Sequence, residues 1–165
     1  MFRNVADPSA SPTQRYADLR RSLEALVEGE TDSLANLSNA AALLWGAMDR
    51  INWCGFYLMR GSDLVLGPFQ GKPACVRIAL GRGVCGTAAA RRETLIVADV
   101  LAFPGHIACD EASRSEIVVP ILDGASLRGV LDVDSAETDR FDAADRAGLE
   151  DFVRALTPRI DWKAL

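Results

Sequence analysis

The chain has 165 residues, of which 49% are hydrophobic and 25% are charged. This composition predicts one domain with a buried core and excludes a disordered chain. Acidic residues outnumber basic ones 23 to 18, for a net charge of −5, and no cluster of Lys and Arg occurs, so we expect no nucleic-acid partner and no membrane partner. The sequence shows no apolar signal segment and no run of about 20 apolar residues, which predicts a cytoplasmic protein.

The first elements in chain order are a tail and two helices. Residues 1–10 are predicted to be a flexible N-terminal tail, and residues 11–165 a single domain. Ser11 and Pro12 are suited to the N-cap and first position of a helix. The apolar residues that follow at spacings of three and four give this helix one apolar face. A second helix is predicted over residues 33–48.

Strands dominate the middle of the chain. A hairpin is predicted over 52–59 and 64–69, followed by a strand over 75–80, a short helix over 86–91 and a strand over 94–98. Residues 100–115 show no periodicity and are predicted to be a long functional loop. A second hairpin is predicted over 116–122 and 127–134. A last helix over 142–158 completes the order.

This order predicts the α+β class, with helices packed on a mostly antiparallel central sheet. Helices near both ends are typical of small sensor domains that pair through them. A homodimer is compatible with the pattern, and the oligomeric state is left open.

A glycine-rich segment follows the strand at 75–80. Gly81, Gly83 and Gly86 match the dinucleotide-binding pattern G-x-G-x-x-G, but the helix after them is too short for a βαβ unit of about 30 residues. We interpret the segment as a tight turn in which the backbone approaches closely.

The cysteines are candidates for chemistry, because permanent disulfides are disfavoured in a reducing compartment. Cys54 lies in an apolar strand and is predicted to be a buried core residue. Cys85 lies near a helix N-terminus, where peptide dipoles favour the thiolate and lower the pKa of the thiol. Cys109 lies in the predicted polar loop, a position at which a thiol can be both exposed and mobile. One thiol that attacks and a second that resolves the product suffice for thiol redox chemistry.

A zinc site is the weaker alternative for the same residues. Structural zinc usually takes its ligands in close pairs such as C-x-x-C, and the chain has no such pair. We therefore predict no metal and no cofactor. The zinc ligands in this alternative would be His106, Cys109, Cys75 and Cys85.

Three acids form the other candidate cluster. Asp132 and Asp134 are two apart on a predicted strand and share one face, and Glu116 begins the strand paired with it. Together they would bind an ammonium group, and mutual repulsion would raise at least one pKa and provide a proton donor. The alternative is a solvated strand end. Trp53 and Tyr57 are four apart in the first hairpin and are suited to the wall of an apolar pocket, although sheet aromatics are more often core.

Long motifs between residues 52 and 135 resemble the GAF-domain free methionine-(R)-sulfoxide reductases. They are N-W-C-G-F-Y at 52–57, G-P-F-Q-G-K-P-A-C-V-R-I at 67–78, G-R-G-V-C-G-T-A at 81–88, F-P-G-H-I-A-C-D at 103–110, S-R-S-E-I-V-V-P at 113–120 and G-V-L-D-V-D-S at 129–135. The predicted helices around them fit a GAF domain, so the resemblance covers nearly the whole chain after the tail.

The resemblance implies roles for the candidate residues. Cys109 would be the attacking thiol, Cys75 would form the disulfide with it, and Cys85 would be an auxiliary or alternative resolving thiol. Substrate would be held by two groups of side chains. The amino group and sulfoxide oxygen would meet Glu116, Asp132 and Asp134, and the methyl-sulfur end would lie between Trp53 and Tyr57.

The function implied is that of a thiol-dependent oxidoreductase. It would convert free L-methionine (R)-S-oxide to L-methionine through a cysteine sulfenic acid and an intramolecular disulfide, recycled by a thioredoxin-type reductant. Two other functions remain open. One is a non-catalytic GAF sensor that binds a small ligand, and the other is a redox sensor in which the disulfide itself is the signal.

Overall fold

The computed structural model describes residues 10–105 and 110–165. In this part of the chain four helices and six strands follow one another; the predicted tail lies almost entirely outside it. In chain order they are α1 (Pro12–Leu26), α2 (Ser33–Ala47), β1 (Trp53–Arg60), β2 (Asp63–Gly71), β3 (Arg77–Ala79), α3 (Gly83–Arg91), β4 (Leu95–Val97), β5 (Ser115–Asp123), β6 (Ser126–Ser135) and α4 (Ala143–Leu156).

The helices begin at residues that satisfy their first backbone N–H groups. The Ser11 Oγ accepts a hydrogen bond from the Gln14 N at 3.2 Å, and a proline follows in the first turn of α1, as predicted. Asp142 caps α4 and forms a reciprocal capping box with Asp145. Because an N-cap satisfies donors that the helix itself leaves unpaired, these residues fix where α1 and α4 start.

The strands form one sheet in the order β3-β2-β1-β6-β5-β4, and every neighbouring pair is antiparallel. The predicted α+β class is confirmed. Both predicted hairpins are present, and each closes through two residues, of which Gly61 and Gly124 take positive φ angles of 64° and 58°. Glycine adopts this left-handed region without steric cost.

The sheet divides the core into two layers. Alternate side chains of β1, β5 and β6 pack against α1, α2 and α4, and the intervening ones face α3. Cys54 belongs to the first layer, is fully buried, and its Sγ donates to the Ala41 carbonyl at 3.5 Å. Burial raises the pKa of its thiol to about 12, and the prediction of a core cysteine is confirmed.

The glycine-rich segment forms the tight turn that leads into α3. The Gly81 N donates to the Gly86 carbonyl at 2.7 Å, and a Cβ added at Gly86 would lie 2.3 Å from the Ala79 carbonyl oxygen. This close approach lets α3 begin at Gly83, three residues before the predicted start. The strand before it is limited to Arg77–Ala79.

Two short 3₁₀ turns were not predicted. Val100–Ala102 opens the predicted long loop, and its start is capped by the Asp99 side chain, which accepts from the Leu101 N at 3.1 Å. Thr157–Arg159 continues the end of α4. Among the helices described, none is both long enough and apolar enough to cross a lipid bilayer.

Candidate active site

The acidic side chains come together on the α3 side of the sheet. Strand pairing places Asp134 of β6 between Trp53 of β1 and Glu116 of β5. Asp132 lies two residues earlier on the same face, whereas Val133 points into the opposite layer. The predicted placement of the three acids is confirmed. Since Glu116 and Asp132 are each only 6% exposed, the alternative of a solvated strand end is wrong for them.

Two adjoining cavities meet here: all three acids line the larger, and Asp132 and Asp134 also line the smaller. The larger cavity also reaches the first turn of α3 and the loop that precedes β5. Tyr57, Asp110, Asp132 and Asp134 border both cavities. A small polar molecule entering here would therefore meet several carboxyl groups at once.

Aromatic side chains form the wall of the smaller cavity. The ring centroids of Trp53 and Tyr57 are 5.9 Å apart, and the Phe69 ring stacks on Trp53 with a centroid distance of 5.4 Å. The Trp53 Nε1 donates to the Lys72 carbonyl at 3.1 Å, and the Tyr57 hydroxyl donates to the Cys75 carbonyl at 3.0 Å. These bonds satisfy the polar atoms of two buried rings and attach the segment carrying Cys75 to β1.

Burial determines the charge of the acids. It raises the pKa of Glu116 and of Asp134 well above the usual range, and the neighbouring carboxylates raise both further. For Asp132, burial raises the pKa from its ordinary 3.8 to about 6. A carboxyl group with a raised pKa holds its proton to a higher pH, so Glu116 and Asp134 are suited to the predicted role of proton donor.

Cys85 lies in the first turn of α3 and points at these acids. Its Sγ donates to the Glu116 Oε1 at 3.7 Å, and the residue is 4% exposed. Burial, followed by the charges of Asp132 and Glu116, raises the pKa of its thiol well above the ordinary value. The expectation of a lowered pKa at Cys85 is wrong, because desolvation and two nearby acids outweigh the helix dipole.

Of the other two cysteines predicted to be reactive, only Cys75 lies among the described residues. Cys75 is half-buried and disulfide-bonded, whereas Cys54 and Cys85 are free thiols. Cys109 and His106 lie outside the described residues, so their predicted roles stay predictions.

Sequence reasoning missed a polar network beside the acids. The Asn52 Nδ2 donates to the Asp110 Oδ2 at 3.2 Å and to the Ser113 Oγ at 3.0 Å, and Ser113 in turn bonds Asp134. Lys72 pairs with Asp110 at 3.3 Å. Asp110 directly follows Cys109, which was a reason to place it near the site. Nothing in the sequence linked it to the start of β1.

The start of α3 adds a second kind of polar group to the larger cavity. Arg82, Gly83, Val84 and Cys85 line it, and Arg82 makes no side-chain cap for the helix. Uncapped first-turn N–H groups carry a partial positive charge. The cavity thus offers carboxyl groups on one side and a site suited to an anion on the other.

Possible metal ligands are also present. Among the described residues one group of three qualifies, formed by Cys85, Glu116 and Asp132, whose ligand atoms all lie within 4.8 Å of one another. This set differs from the zinc alternative considered from the sequence, of which Cys75 and Cys85 are the described members.

Comparison with known proteins agrees with this geometry. The family model of the GAF domain matches residues 22–159. The chain is 54% identical over 144 residues to the free methionine-R-sulfoxide reductase of Escherichia coli (strain K12), covering 87% of each chain. It is 49% identical over 151 residues to the enzyme of the same name from Saccharomyces cerevisiae, covering 86% of this chain and 83% of that one.

A solved structure is similar over nearly the whole length. The X-ray structure of free methionine-R-sulfoxide reductase from Neisseria meningitidis, in complex with its substrate, superimposes with a TM-score of 0.89 at 43% identity. The match covers 95% of this chain and 96% of that one. The resemblance indicated by the sequence motifs is confirmed.

Proposed function

This chain belongs to the GAF domain family, and we propose that within it the protein is a free methionine-(R)-sulfoxide reductase, an oxidoreductase that forms L-methionine. The observation that carries this proposal is the buried group of three acids beside an aromatic wall. Asp132 keeps one oxygen, Oδ1, buried and without a hydrogen-bond partner in the described structure. A buried carboxylate oxygen in this state is favourable only when a cation or donor comes to it.

A free amino acid matches both polar sides of the larger cavity. Its ammonium group would bind Asp132 and its neighbours, and its carboxylate would meet the first turn of α3. The methyl-sulfur end would lie against Trp53 and Tyr57. A methionine sulfoxide within a peptide lacks both charges, so the proposed site selects the free amino acid.

The proposed reaction transfers the sulfoxide oxygen to a cysteine. The Cys109 thiolate attacks the sulfoxide sulfur while a protonated carboxyl group, Glu116 or Asp134, donates a proton to the oxygen. Methionine leaves, and Cys109 becomes a sulfenic acid. The Cys75 thiol then displaces water to form the disulfide, and a thioredoxin-type dithiol reduces that disulfide by exchange.

Two observations support Cys75 over Cys85 as the resolving thiol. Cys75 is able to form a disulfide in this fold. Cys85 is buried against Glu116, and its raised pKa keeps the thiol protonated and weakly nucleophilic. Cys85 is thereby assigned the auxiliary role.

We also propose that the domain extends beyond the matched residues, from 11 to 165. The Tyr16 hydroxyl of α1 donates to the Asp145 Oδ1 of α4 at 2.6 Å. Trp162 packs on the helix-side core, and its Nε1 donates to the Thr157 carbonyl at 3.1 Å. These contacts support including both segments in the domain.

A single-turnover experiment with each epimer of free methionine sulfoxide tests the function. Reduced wild-type protein should consume the R epimer and form one methionine and one disulfide per chain. Cys109→Ser should form none, and Cys75→Ser should form methionine while accumulating a sulfenic acid that dimedone traps. Cys54→Ser, which changes a buried thiol in the opposite layer, is the matched control and should behave as wild type.

The same experiment separates the alternatives. Folded, reduced protein that forms no methionine from either epimer would sink the catalytic proposal and leave a ligand-binding sensor. Oxidation by peroxide to the disulfide, again without methionine, would favour the redox sensor.

A further inference from the structure

A thiol and two carboxylates meet at one point of the larger cavity. The Sγ of Cys85 lies 3.7 Å from the Glu116 Oε1, and both lie within 4.8 Å of an Asp132 oxygen. Tetrahedral zinc, with Zn–S near 2.3 Å and Zn–O near 2.1 Å, places its ligand atoms roughly 3.4–3.6 Å apart. The Sγ–Oε1 distance is close to this spacing, and the Asp132 oxygen lies near enough to join the same ion.

The three ligands are held by regular secondary structure rather than by loops. Cys85 is in α3, Glu116 in β5 and Asp132 in β6, and all three are buried. The three elements are in direct contact, since α3 packs on β5 and β6. A site on such elements is preorganised.

An unsatisfied atom points to a cation at this place. Asp132 Oδ1 is buried and has no hydrogen-bond partner in the described part of the chain. Cys85 and Glu116 hydrogen-bond the Asp132 carboxyl but leave this oxygen unpaired. The chemistry of the set, one sulfur and two carboxylates, favours a borderline-soft ion over calcium or magnesium, which prefer oxygen alone.

We propose that Cys85, Glu116 and Asp132 form a zinc-binding site whose fourth position opens to the cavity, and that zinc there excludes the substrate. Binding is coordination without electron transfer: the thiol proton and any carboxyl proton leave to solvent as the ligands bind the ion. The exclusion of substrate rests on the proposed function, since the ion would occupy the place assigned to the substrate's ammonium group. Zinc binding itself does not rest on the proposed function.

A titration with zinc alone tests the site. The Cys75→Ser/Cys109→Ser protein removes the proposed redox pair, which could bind zinc by itself. We expect this protein to bind one zinc ion per chain in competition with a fluorescent chelator. Cobalt in place of zinc should give a sulfur-to-cobalt charge-transfer band.

Further variants assign the ligands. Adding Cys85→Ser should weaken zinc binding by about 50-fold or more and abolish the cobalt band, because one of the protein ligands is lost. Adding Cys54→Ser instead should leave both unchanged. If the Cys85 variant fails to fold, Glu116→Gln serves in its place and should weaken binding by about tenfold or more. Zinc affinity that neither variant changes, or no binding to the starting protein, would overturn the proposal.

The effect on activity is measured separately. In reduced wild-type protein, zinc should raise the apparent KM for free methionine (R)-sulfoxide without lowering kcat, and a chelator should reverse this. If no methionine forms at all, the proposed function fails while the titration still decides the zinc site. Zinc that binds as expected but lowers kcat at unchanged KM would contradict the exclusion of substrate.

Discussion

Replacing Asp132 by asparagine should stabilise the folded protein at alkaline pH while impairing its reaction. The Asp132 carboxyl is buried, and burial raises its pKa from 3.8 to about 6. A carboxyl group with a raised pKa in the folded state binds its proton more tightly there than in the unfolded chain. The contribution of Asp132 to the stability of the wild type is therefore complete below pH 3.8 and is lost as the pH rises through about 6.

The size of the effect follows from the same two values. Since one pKa unit corresponds to about 1.4 kcal/mol, the ionised Asp132 lowers the free energy of unfolding by about 3 kcal/mol above pH 6. Asparagine has nearly the same shape and cannot ionise. Near pH 8 the free energy of unfolding of Asp132→Asn should thus exceed that of the wild type by about 3 kcal/mol. Near pH 4 this difference should fall below about 1 kcal/mol.

Urea unfolding at both pH values, with all thiols reduced, measures this gap. Glu28→Gln is the control, because Glu28 is an exposed acid between α1 and α2 and its change should produce no such gap. In the activity assay, Asp132→Asn should raise the KM by about 10- to 100-fold, the loss expected for one charge-assisted hydrogen bond to the substrate. A variant less stable than wild type near pH 8, or a gap that is equal at both pH values, would refute the reasoning.

Three further changes test the surroundings of the site. Gly55→Ala places a Cβ 2.3 Å from the Cβ of Phe69, so we expect a loss of about 1–3 kcal/mol in the free energy of unfolding; an unchanged melting temperature would contradict this contact. Lys72→Met removes the ion pair with Asp110. It should slow turnover by about two- to fivefold at low ionic strength and have little effect in about 0.5 M salt, which screens the pair. An equal loss of turnover at both salt concentrations would exclude an electrostatic cause. Trp53→Phe keeps an aromatic ring, although a smaller one, and loses the hydrogen bond to the Lys72 carbonyl. It should destabilise the protein by about 1 kcal/mol or more and slow disulfide formation more than methionine formation; equal slowing of both steps would count against the bond.

The fold was largely predictable because its signals are local. Several of these signals act within a few residues: the apolar run of β5, the alternating apolar and acidic residues at the end of β6, the capping residues Ser11 and Asp142, and the glycines in the hairpin turns. Such signals are present in the sequence itself. The strand pairing then placed Glu116 beside Asp134 without further information.

The electrostatics of the site were harder to predict, because they depend on burial. A helix N-terminus favours the thiolate of Cys85, but that effect is smaller than the desolvation that α3 imposes by packing on the sheet. The bonds from Asn52 to Asp110 and Ser113 join residues 58 and 61 positions apart. Their pairing depends on the path of the loop, which has no periodic pattern to reveal it.

The first half of β1 serves as a common attachment for two distant segments. Trp53 and Tyr57 hold the carbonyls of Lys72 and Cys75, and Asn52, just before the strand, holds the side chain of Asp110. Because both segments are bonded to the same strand, we expect any displacement of β1 to carry them together and to leave the distance between them nearly unchanged.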